Sequence, residues 1–371
     1  MSGLHVFPSR RIRLTPFTER VEACHVTSYT VYNHMLLPSI FVSLEDDYHH
    51  LKAHVQLWDV SAQRQVEISG PEARRLVVML SARDLRNARP GRCYYTPITD
   101  YHGRMLNDPL ILCLDENRFW LSIADSDLLL WVKALAGALG LDVQIHEPDV
   151  SPLAVQGPKA TQAMERVFGA EIAKVPFFHW RPFPFKGRQL IISRSGWSKQ
   201  GGFEIYLDDH SMGPELWDAL WQAGQDLQIR AGGPNLIERI ESGLLSYGGD
   251  ITRDDTPLEC GLAAYCDLDA HEFIGRNALL RQREQGITRR LVGIRLEGKG
   301  LPQLRQAWRC QYNHRDAGIV TTIIWSPDFA TNLGYAMLAA HVPIHEWVEI
   351  LTPIGTKRAE ICALPFVKIP Q

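Results

Sequence analysis

The spacing of apolar residues along the chain alternates between a helical and a strand period. Ala73, Leu76, Val77 and Leu80 recur at i, i+3, i+4 and i+7, which predicts an amphipathic helix beginning near Pro71. The helical period also predicts helices at Lys159–Phe168, Pro214–Gln225 and Asn235 to about Ser246. The strand period predicts strands at 66–70, Arg188–Ser195 and Phe203–Leu207.

The segment 92–139 contains further predicted elements. Arg92–Leu114 is interpreted as two strands joined by a turn at Tyr101–Arg104. Phe119–Ser126 is predicted to be a third strand, and Ser126 is expected to cap a helix over Asp127–Leu139. From residue 289 onward, short β-like runs such as LVGIRL and AGIVTTIIW are separated by turn residues, which predicts a small all-β terminal domain.

The composition excludes several classes of protein. The chain has 371 residues, 45% hydrophobic and 22% charged, enough for about two or three packed units. The net charge of -3 provides no general basic field for nucleic acid. The scattered cysteines never form a C-x-x-C pair, which is typical of reduced thiols in a cytoplasmic protein. No secretory leader is evident, and the longest apolar stretch, 128–141, is too short to cross a membrane.

The common signatures of cofactor and nucleophile chemistry are missing. Neither G-x-G-x-x-G after a strand nor G-x-x-x-x-G-K-[ST] occurs, and Gln200 stands where a nucleophile elbow needs its second glycine. The histidines are isolated or adjacent, so no metal site is expected. Polar and aromatic residues instead concentrate in segments without a clean period, a composition common in ligand-binding loops. These segments are YTVYNHMLLP (29–38), RCYYTP (92–97), MLNDP (105–109), SIADSD (122–127), SRSGWSKQGGFEIY (193–206) and NLIERIESGLLSYGGD (235–250).

Several of these segments match known patterns. QGPKA, GGFEIY and the run RIESGLLSYGGD from Arg239 are typical of the glycine-cleavage T-protein (aminomethyltransferase) superfamily, which the chain resembles. Within it, YTVYNHMLLP, DYHHLKAHVQLWDVS, SRSGWSKQGGFEIY and PNLIERIESGLLSYG closely resemble the tetrahydrofolate-dependent dimethylsulfoniopropionate demethylases. This narrower resemblance runs from about residue 18 to about residue 262, and only the superfamily pattern is expected beyond it.

The resemblance implies an α+β fold, a three-domain ring with two α/β subdomains and a small β-barrel-like domain at the C terminus. It implies a folate-binding region over 1–285, with 52–145 as one subdomain, and a β-rich domain over 286–371. It also implies methyl transfer from the sulfonium of dimethylsulfoniopropionate to N5 of tetrahydrofolate, giving methylmercaptopropionate and 5-methyltetrahydrofolate. The expected partners are these two small molecules and a second copy in a homodimer, with no nucleic acid, membrane or metal.

Aromatic side chains are the candidates for binding the sulfonium. Its methyl group is already activated, because the leaving group is a neutral thioether, so the protein mainly has to position the reactants. Each aromatic face contributes about 0.5–2 kcal/mol to binding a methylated cation. Tyr32, Trp197 and Tyr206 are the first candidates, with Trp180 and Phe178 after them, and core packing is the alternative role for each ring.

Other positions match folate-binding residues of the family. Glu204 is expected to accept the two adjacent N–H donors of the pterin, and the alternation in FEIY places it on one strand face with Tyr206. Tyr95 and Ser122 match positions that line the pterin pocket. Arg239 matches an arginine that faces the anionic glutamate tail of folate.

Arg239 also has an alternative role, and Lys199 is one further candidate. The apolar spacing of its predicted helix leaves Arg239 on or beside the polar side with Glu238 and Glu241, so a surface ion pair is its alternative role. Lys199, the nearest cation to Trp197, is the candidate for the substrate carboxylate.

The pair Asn107 and Asp108 stands where the T-protein family carries two aspartates. Asparagine at the first position departs from glycine-cleavage chemistry and argues against an aminomethyl substrate. Asp108 is expected to orient the folate or to accept the N5 proton, and capping a turn is its alternative role. Asp108 and Tyr206 are the candidate catalytic residues.

Two alternative functions stay open at this point. One is a tetrahydrofolate-dependent demethylase of another methylated onium or methoxy compound, such as a methylated glycine, because an aromatic cage also accepts an ammonium. The other is a non-catalytic folate-binding protein, like the superfamily member that supports iron–sulfur assembly. The segment TPLECGLAAYC lacks the K-G-C-Y-x-G-Q-E signature of that group, which makes the second alternative weaker.

Overall fold

The computed structural model describes residues 9–366. Its helices are α1 (Thr18–Ala23), α2 (Leu44–Ala53), α3 (Ala73–Leu80), α4 (Leu128–Leu139), α5 (Ala160–Phe168), α6 (Gly213–Ala223), α7 (Leu236–Glu241) and α8 (Arg276–Gln285). Its strands are β1 (Ser28–Tyr32), β2 (Met35–Ile40), β3 (Val55–Asp59), β4 (Gln65–Ser69), β5 (Cys93–Tyr95), β6 (Ile98–Thr99), β7 (Met105–Asn107), β8 (Leu110–Asp115), β9 (Arg118–Ser122), β10 (Gln144–His146), β11 (Ser151–Gln156), β12 (Trp180–Phe185), β13 (Arg188–Ser193), β14 (Gly202–Leu207), β15 (Ile229–Gly232), β16 (Arg289–Leu296), β17 (Trp308–Tyr312), β18 (Arg315–Ser326), β19 (Thr331–Ala339), β20 (Trp347–Thr352) and β21 (Gly355–Cys362). None of the helices within this range is long and apolar enough to span a membrane.

The chain forms two compact units, each built from separate stretches of sequence. The first unit contains the residues up to Gln65, Glu147–Gly196 and Gln200–Pro234. The second contains Val66–His146, Trp197–Lys199 and the residues from Asn235 onward. The domain boundaries expected from the sequence stay predictions.

The first unit is organised around one sheet with the strand order β12-β13-β14-β11-β3-β15. Strand β15 pairs in parallel with β3, and the other pairs are antiparallel. One face of the sheet is apolar and packs against residues of α5 and α6, with Leu57, Leu153, Val155, Phe203 and Ile205 in this core. The helices predicted at 159–168 and 214–225 are confirmed to within two residues.

The second unit begins with a sheet of order β10-β4-β9-β8-β5. The helix predicted from residue 71 is confirmed as α3, because all four of its stripe residues are buried. Arg92–Leu114 contains four short strands rather than two, since β5 pairs with β8 and β6 pairs with β7. The turn predicted at Tyr101–Arg104 is confirmed, with Gly103 at φ +76.

The predicted capping role of Ser126 is wrong. Asp127 is the N-cap residue of α4, and no side chain caps this helix. The Ser126 hydroxyl instead donates a 2.7 Å hydrogen bond to the carbonyl of Leu106 and accepts one of 2.8 Å from Asn107 Nδ2. The hydroxyl therefore fastens the loop before α4 to strand β7.

Helix α7 differs from its prediction in length and in exposure. It ends at Glu241 because Gly243 takes a positive φ of +74, and the amide of Leu244 bonds back to the carbonyl of Arg239. The expectation that Glu238 and Arg239 lie on or beside a polar side is wrong, since both are buried. The helix packs against β18 and β19, and these barrel strands cover the side that was expected to be polar and exposed.

The terminal strands close into a barrel of order β16-β19-β18-β17-β20-β21. Its interior contains an apolar core that includes Val292, Ile294, Val320, Val348 and Ile361. The predicted all-β terminal domain and the α+β class are confirmed.

Candidate active site

The sheet of the first unit carries a row of aromatic and polar residues on the face opposite its core. Register aligns Trp180 with Ser193, Ser193 with Glu204, Glu204 with Ala154 and Ala154 with Trp58. Directly opposed residues point to the same face of a sheet, so Trp180 and Glu204 share this face. Because Tyr206 lies two residues after Glu204 on β14, it shares the face too, as the alternation in FEIY predicted.

Glu204 is the buried acid of this face, with only 5% of the residue exposed. The Ser195 hydroxyl donates a hydrogen bond to its Oε2, and Ser193 Oγ lies 2.5 Å from Ser195 Oγ. Burial raises the pKa of Glu204, and hydrogen bonds from Ser195 and Tyr206 oppose that rise. The carboxylate is therefore held in place on one side by hydroxyl donors.

Two glycines shape the loop before this carboxylate. Gly196 and Gly202 both take positive φ, at +150 and +154. A Cβ on Gly196 would lie 2.1 Å from Gln156 Nε2, and one on Gly202 would lie 2.5 Å from the same atom. The side chain of Gln156 thus fills the space that the two glycines leave, and its Nε2 donates to the carbonyl of Ser195 at 3.2 Å.

Tyr32 reaches the same face of the sheet through a hairpin. Strands β1 and β2 are joined by a tight turn at Asn33 and His34. Both residues have positive φ values, +49 and +63, as in the two-residue turns that match the twist of paired strands. Tyr32 packs against an apolar cluster that includes Trp58 and Ala154, the two residues in register with Glu204. The structure therefore brings Tyr32, Trp180, Glu204 and Tyr206 to one face of one sheet.

Phe178 is the least suitable of the predicted aromatics. It has a φ of +57, and its ring stacks on that of Phe177 with centroids 4.3 Å apart. Its amide donates to the carbonyl of Arg194 at 3.0 Å. Phe178 therefore belongs to the loop that leads into β12.

In the second unit, Tyr95 and Asp108 meet at the ends of β5 and β7. The Tyr95 hydroxyl donates a 2.9 Å hydrogen bond to Asp108 Oδ2. Oδ1 of the same carboxylate is buried and has no hydrogen-bond partner among residues 9–366. Burial raises the pKa of Asp108 to about 7, although the hydrogen bond from Tyr95 opposes this rise. A buried acceptor without a donor indicates a place for a ligand N–H.

Ser122 lies in the same part of this sheet. Leu110 is the register partner of both Tyr95 and Ser122, so these two residues occupy one row across β5, β8 and β9. Ser122 is buried at the end of β9. The predicted pterin-lining residues Tyr95, Ser122 and Asp108 are thus neighbours in the fold, and their contact with folate stays a prediction.

Asn107 has a structural task that explains why it is an amide. Its Oδ1 accepts a 2.9 Å hydrogen bond from the amide of Ala124, and its Nδ2 donates to the carbonyl of Ala124 at 3.1 Å and to Ser126 Oγ at 2.8 Å. A carboxylate at this position has no N–H to donate. Asn107 therefore fixes the loop 124–126 and is fully buried in doing so.

Two tyrosines beside Asp108 were not singled out from the sequence. The ring of Tyr265 meets Tyr95 edge-on, with centroids 4.8 Å apart. The Tyr247 hydroxyl donates to the carbonyl of Met105 at 3.2 Å, and burial, together with the charge of Asp108, raises its pKa to about 12. The sequence feature that could have identified them is their position in two motif segments. Tyr247 lies in the run RIESGLLSYGGD, and Tyr265 lies in TPLECGLAAYC.

The short stretch Trp197–Lys199 lies against α7. The guanidinium carbon of Arg239 is 5.7 Å from the Trp197 ring centroid, and Glu238 Oε1 accepts a 2.9 Å hydrogen bond from the amide of Lys199. The Lys199 side chain is exposed. Arg239 forms a buried ion pair with Asp250, so the alternative of a surface pair with Glu238 is wrong. The predicted contact of Arg239 with the folate tail stays a prediction.

Comparison with known proteins places this arrangement in a family. The model of the GCVT N-terminal domain matches residues 17–270, and that of the glycine cleavage T-protein C-terminal barrel domain matches residues 289–368. The chain belongs to the glycine cleavage T-protein family. The superfamily predicted from the sequence is thereby confirmed.

Several members of this family are similar over nearly their whole length. The chain is 48% identical over 353 residues to a protein of Ruegeria pomeroyi named dimethylsulfoniopropionate demethylase DmdA, covering 95% of this chain and 96% of that protein. It is 30% identical over 340 residues to an aminomethyltransferase of Alkaliphilus metalliredigens, covering 90% and 91% of the two chains. The alignment with the demethylase extends past residue 262, beyond which only the superfamily pattern was expected.

A solved structure supports the fold. The crystal structure of the glycine cleavage system aminomethyltransferase T from Bartonella henselae superposes with a TM-score of 0.83, covering 95% of this chain and 97% of that one. The two sequences are 22% identical, so the likeness shows the fold alone.

Proposed function

We propose that this chain is a tetrahydrofolate-dependent demethylase of dimethylsulfoniopropionate. The bond between sulfur and one methyl carbon breaks, a bond between that carbon and N5 of tetrahydrofolate forms, and the N5 proton is released. The products are methylmercaptopropionate and 5-methyltetrahydrofolate. The observation that carries the proposal is the 48% identity, over 95% of the chain, to the demethylase of Ruegeria pomeroyi.

The aromatic residues are proposed to bind the sulfonium. Tyr32, Trp180 and Tyr206 lie on one face of the first unit's sheet, and Trp197 is half-buried beside α7 in the second unit. Ring faces attract a methylated cation without forming a bond to it, so they position the methyl group for in-line displacement. The exposed ammonium of Lys199 is proposed to bind the substrate carboxylate.

The residues fit tetrahydrofolate, which supplies the nucleophilic N5 nitrogen when it is bound. The buried Oδ1 of Asp108 has an open acceptor position, and Glu204 offers a buried carboxylate on a rigid strand. We propose that Asp108 and Glu204 accept N–H groups of the pterin, that Tyr95 packs on it, and that Ser122 hydrogen-bonds to it. From the family resemblance, Arg239 is also proposed to face the anionic glutamate tail of folate.

Asp108 is also proposed to accept the released proton. Its pKa of about 7 means that a large fraction of the carboxylate is ionised at neutral pH, and a base of that pKa takes up a proton most effectively there. Tyr206 is proposed to act in catalysis by orienting the sulfonium beside Glu204. Asn107 cannot serve as a second carboxylate, which separates this site from aminomethyl chemistry.

Location and assembly complete the proposal. We propose that the enzyme is cytoplasmic and homodimeric, and that it does not bind nucleic acid. The free cysteines, all but Cys24 of them buried, support the cytoplasmic location, and the net charge of -3 supports the absence of nucleic-acid binding. Cell fractionation tests the location, and light scattering of the purified protein tests the homodimer.

The decisive experiment is an anaerobic incubation of the purified protein with tetrahydrofolate and dimethylsulfoniopropionate. Equal amounts of 5-methyltetrahydrofolate and methylmercaptopropionate are expected by chromatography, and neither is expected when one reactant is left out. If neither product forms while folate still binds in a titration, the substrate assignment is wrong. A parallel panel of methylated ammonium and methoxy compounds then identifies the donor.

A further inference from the structure

Helix α7 holds the short stretch Trp197–Lys199 from two directions. Glu238 Oε1 accepts a hydrogen bond from the backbone amide of Lys199 at 2.9 Å and another from the Ser242 hydroxyl at 2.7 Å. The next residue, Arg239, places its guanidinium 5.7 Å from the centre of the Trp197 ring. Consecutive buried residues of one helix thus contact the backbone and the ring of the same stretch.

Arg239 is itself fixed by the barrel and by the loop after α7. Its Nη1 lies 2.6 Å from Asp250 Oδ2 and 3.2 Å from the carbonyl of Leu244, and its Nη2 donates to Thr322 Oγ1 at 3.3 Å. The ring of Tyr335, on barrel strand β19, lies 5.8 Å from the same guanidinium. The side chains of Arg239 and Asp250 are only 7% and 0% exposed. A planar guanidinium bound at both terminal nitrogens, Nη1 and Nη2, has a fixed orientation.

The barrel uses an irregularity of β18 to bind Asp250. Val320 pairs with Ala336 and Thr322 with Tyr335, so Thr321 is an extra residue in the strand. Neighbouring residues of a regular strand point to opposite faces, and such a bulge re-aims them. Both threonine hydroxyls accordingly reach Asp250 Oδ1, that of Thr321 at 3.3 Å.

We propose that Arg239 is a positioning residue. Because the barrel fixes its guanidinium, Arg239 holds the Trp197 ring in one orientation, while Glu238 fixes the backbone at Lys199. The inference rests on the proposed role of Trp197 in binding the sulfonium. It gives the barrel a task in substrate binding, although no barrel residue needs to contact the substrate. Asp250 balances the charge of Arg239, so the ring is not beside an uncompensated cation that would repel a sulfonium.

The first test compares Arg239→Lys with Arg281→Lys, the same change on the exposed surface of α8. Hydrogen exchange of a peptide spanning 196–201 is expected to speed up by about tenfold in R239K and to match the wild type in R281K. The KM for dimethylsulfoniopropionate is expected to rise by about tenfold. The folate dissociation constant is expected to stay within about twofold of wild type, because lysine keeps the positive charge that an anionic glutamate tail would contact. If exchange is unchanged and folate affinity falls instead, Arg239 contacts the folate tail and the proposal is wrong.

The second test uses milder variants that keep the core filled. Thr322→Val removes one hydroxyl from the network, and Thr356→Val makes the same change at an exposed position of β21. Only T322V is expected to raise the KM for the sulfonium.

At the backbone contact, Glu238→Gln keeps an oxygen acceptor for the Lys199 amide, whereas Glu238→Ala does not. Exchange at 196–201 is therefore expected to rise in E238A and to remain near wild type in E238Q. Equal effects of the two glutamate variants, or equal effects of the two threonine variants, would overturn the positioning role. Because exchange is measured without substrate, it tests the positioning even if the wild-type protein transfers no methyl group, an outcome that would sink the proposed function instead.

Discussion

The Tyr95 hydroxyl donates a 2.9 Å hydrogen bond to Oδ2 of Asp108, while Oδ1 of the same carboxylate is buried without a partner among residues 9–366. The Tyr95 hydroxyl therefore holds Oδ2, and Oδ1 is left open to accept a hydrogen bond from a ligand. A buried carboxylate in this state resists ionisation, which is why its pKa is raised to about 7. The same arrangement predicts a pH-dependent activity and a pH-dependent stability.

The pH dependence of catalysis tests the role of Asp108 as proton acceptor. The carboxylate must be ionised to accept a proton, so kcat/KM of the wild type is expected to rise with pH and to level off above about pH 7. Asp108→Asn is expected to lose this limb and to lower kcat by about 100-fold or more. An unchanged rise in the Asn variant would assign the titration to another group.

The stability of the protein should respond to the same group in the opposite direction. The pKa of Asp108 is raised from 3.8 to about 7 by folding, so between these values the folded state keeps a proton that the unfolded state has lost. Stability contributed by the neutral acid is therefore lost as pH rises through this window. Asp108→Asn is expected to be more stable than the wild type at about pH 8, with the difference shrinking by about pH 5. Urea unfolding at both pH values measures it.

Truncation of Trp197 tests the sulfonium site. Trp197→Ala is expected to raise the KM for dimethylsulfoniopropionate by roughly 2- to 30-fold, the loss of one cation–π contact of about 0.5–2 kcal/mol. Folate titration is expected to stay near wild type. Trp347→Ala, at an exposed tryptophan of the barrel, is the matched control. Equal weakening of both ligands in W197A would refute the assignment.

Removal of the Glu204 charge tests the pterin contact. Glu204→Gln loses the charge-assisted hydrogen bonds, so folate binding is expected to weaken by about 1.5–3 kcal/mol, measured by titration. Glu22→Gln, an exposed glutamate of the same unit, serves as the control. Ser195→Ala leaves the carboxylate in place but removes one donor, so its effect should be smaller than that of E204Q. Normal folate affinity in E204Q would contradict the role.

Asn107→Asp tests whether the amide is structural. The change removes the donors to Ala124 and Ser126 and buries a charge, so the free energy of unfolding is expected to fall by about 1–3 kcal/mol or more. Asn277→Asp on the exposed side of α8 should change it little. We expect no gain of aminomethyl transfer in N107D. A variant as stable as wild type would show that the loop 124–126 is held by other contacts.

Much of the fold was accessible from the sequence because its apolar spacing reports which side of an element is buried. The stripe of α3 and the alternation of β14 gave the right elements and, at Glu204 and Tyr206, the right shared face. The expectations for Ser126, Glu238 and Arg239 failed for one reason. A polar residue carries no mark that distinguishes contact with water from a hydrogen bond inside the protein.

The sequence by itself determined the family and the α+β class, because motif residues and apolar periods are local in the chain. It also supplied most of the candidate ligand contacts, which stay predictions. Only the tertiary structure decided which of them meet. It joined Tyr95 to Asp108 across thirteen positions, set Trp180 and Glu204 in one row, and placed Trp197 on a guanidinium that the barrel holds. Such contacts depend on strand register and helix packing, and these are fixed only when distant segments bury their surfaces together.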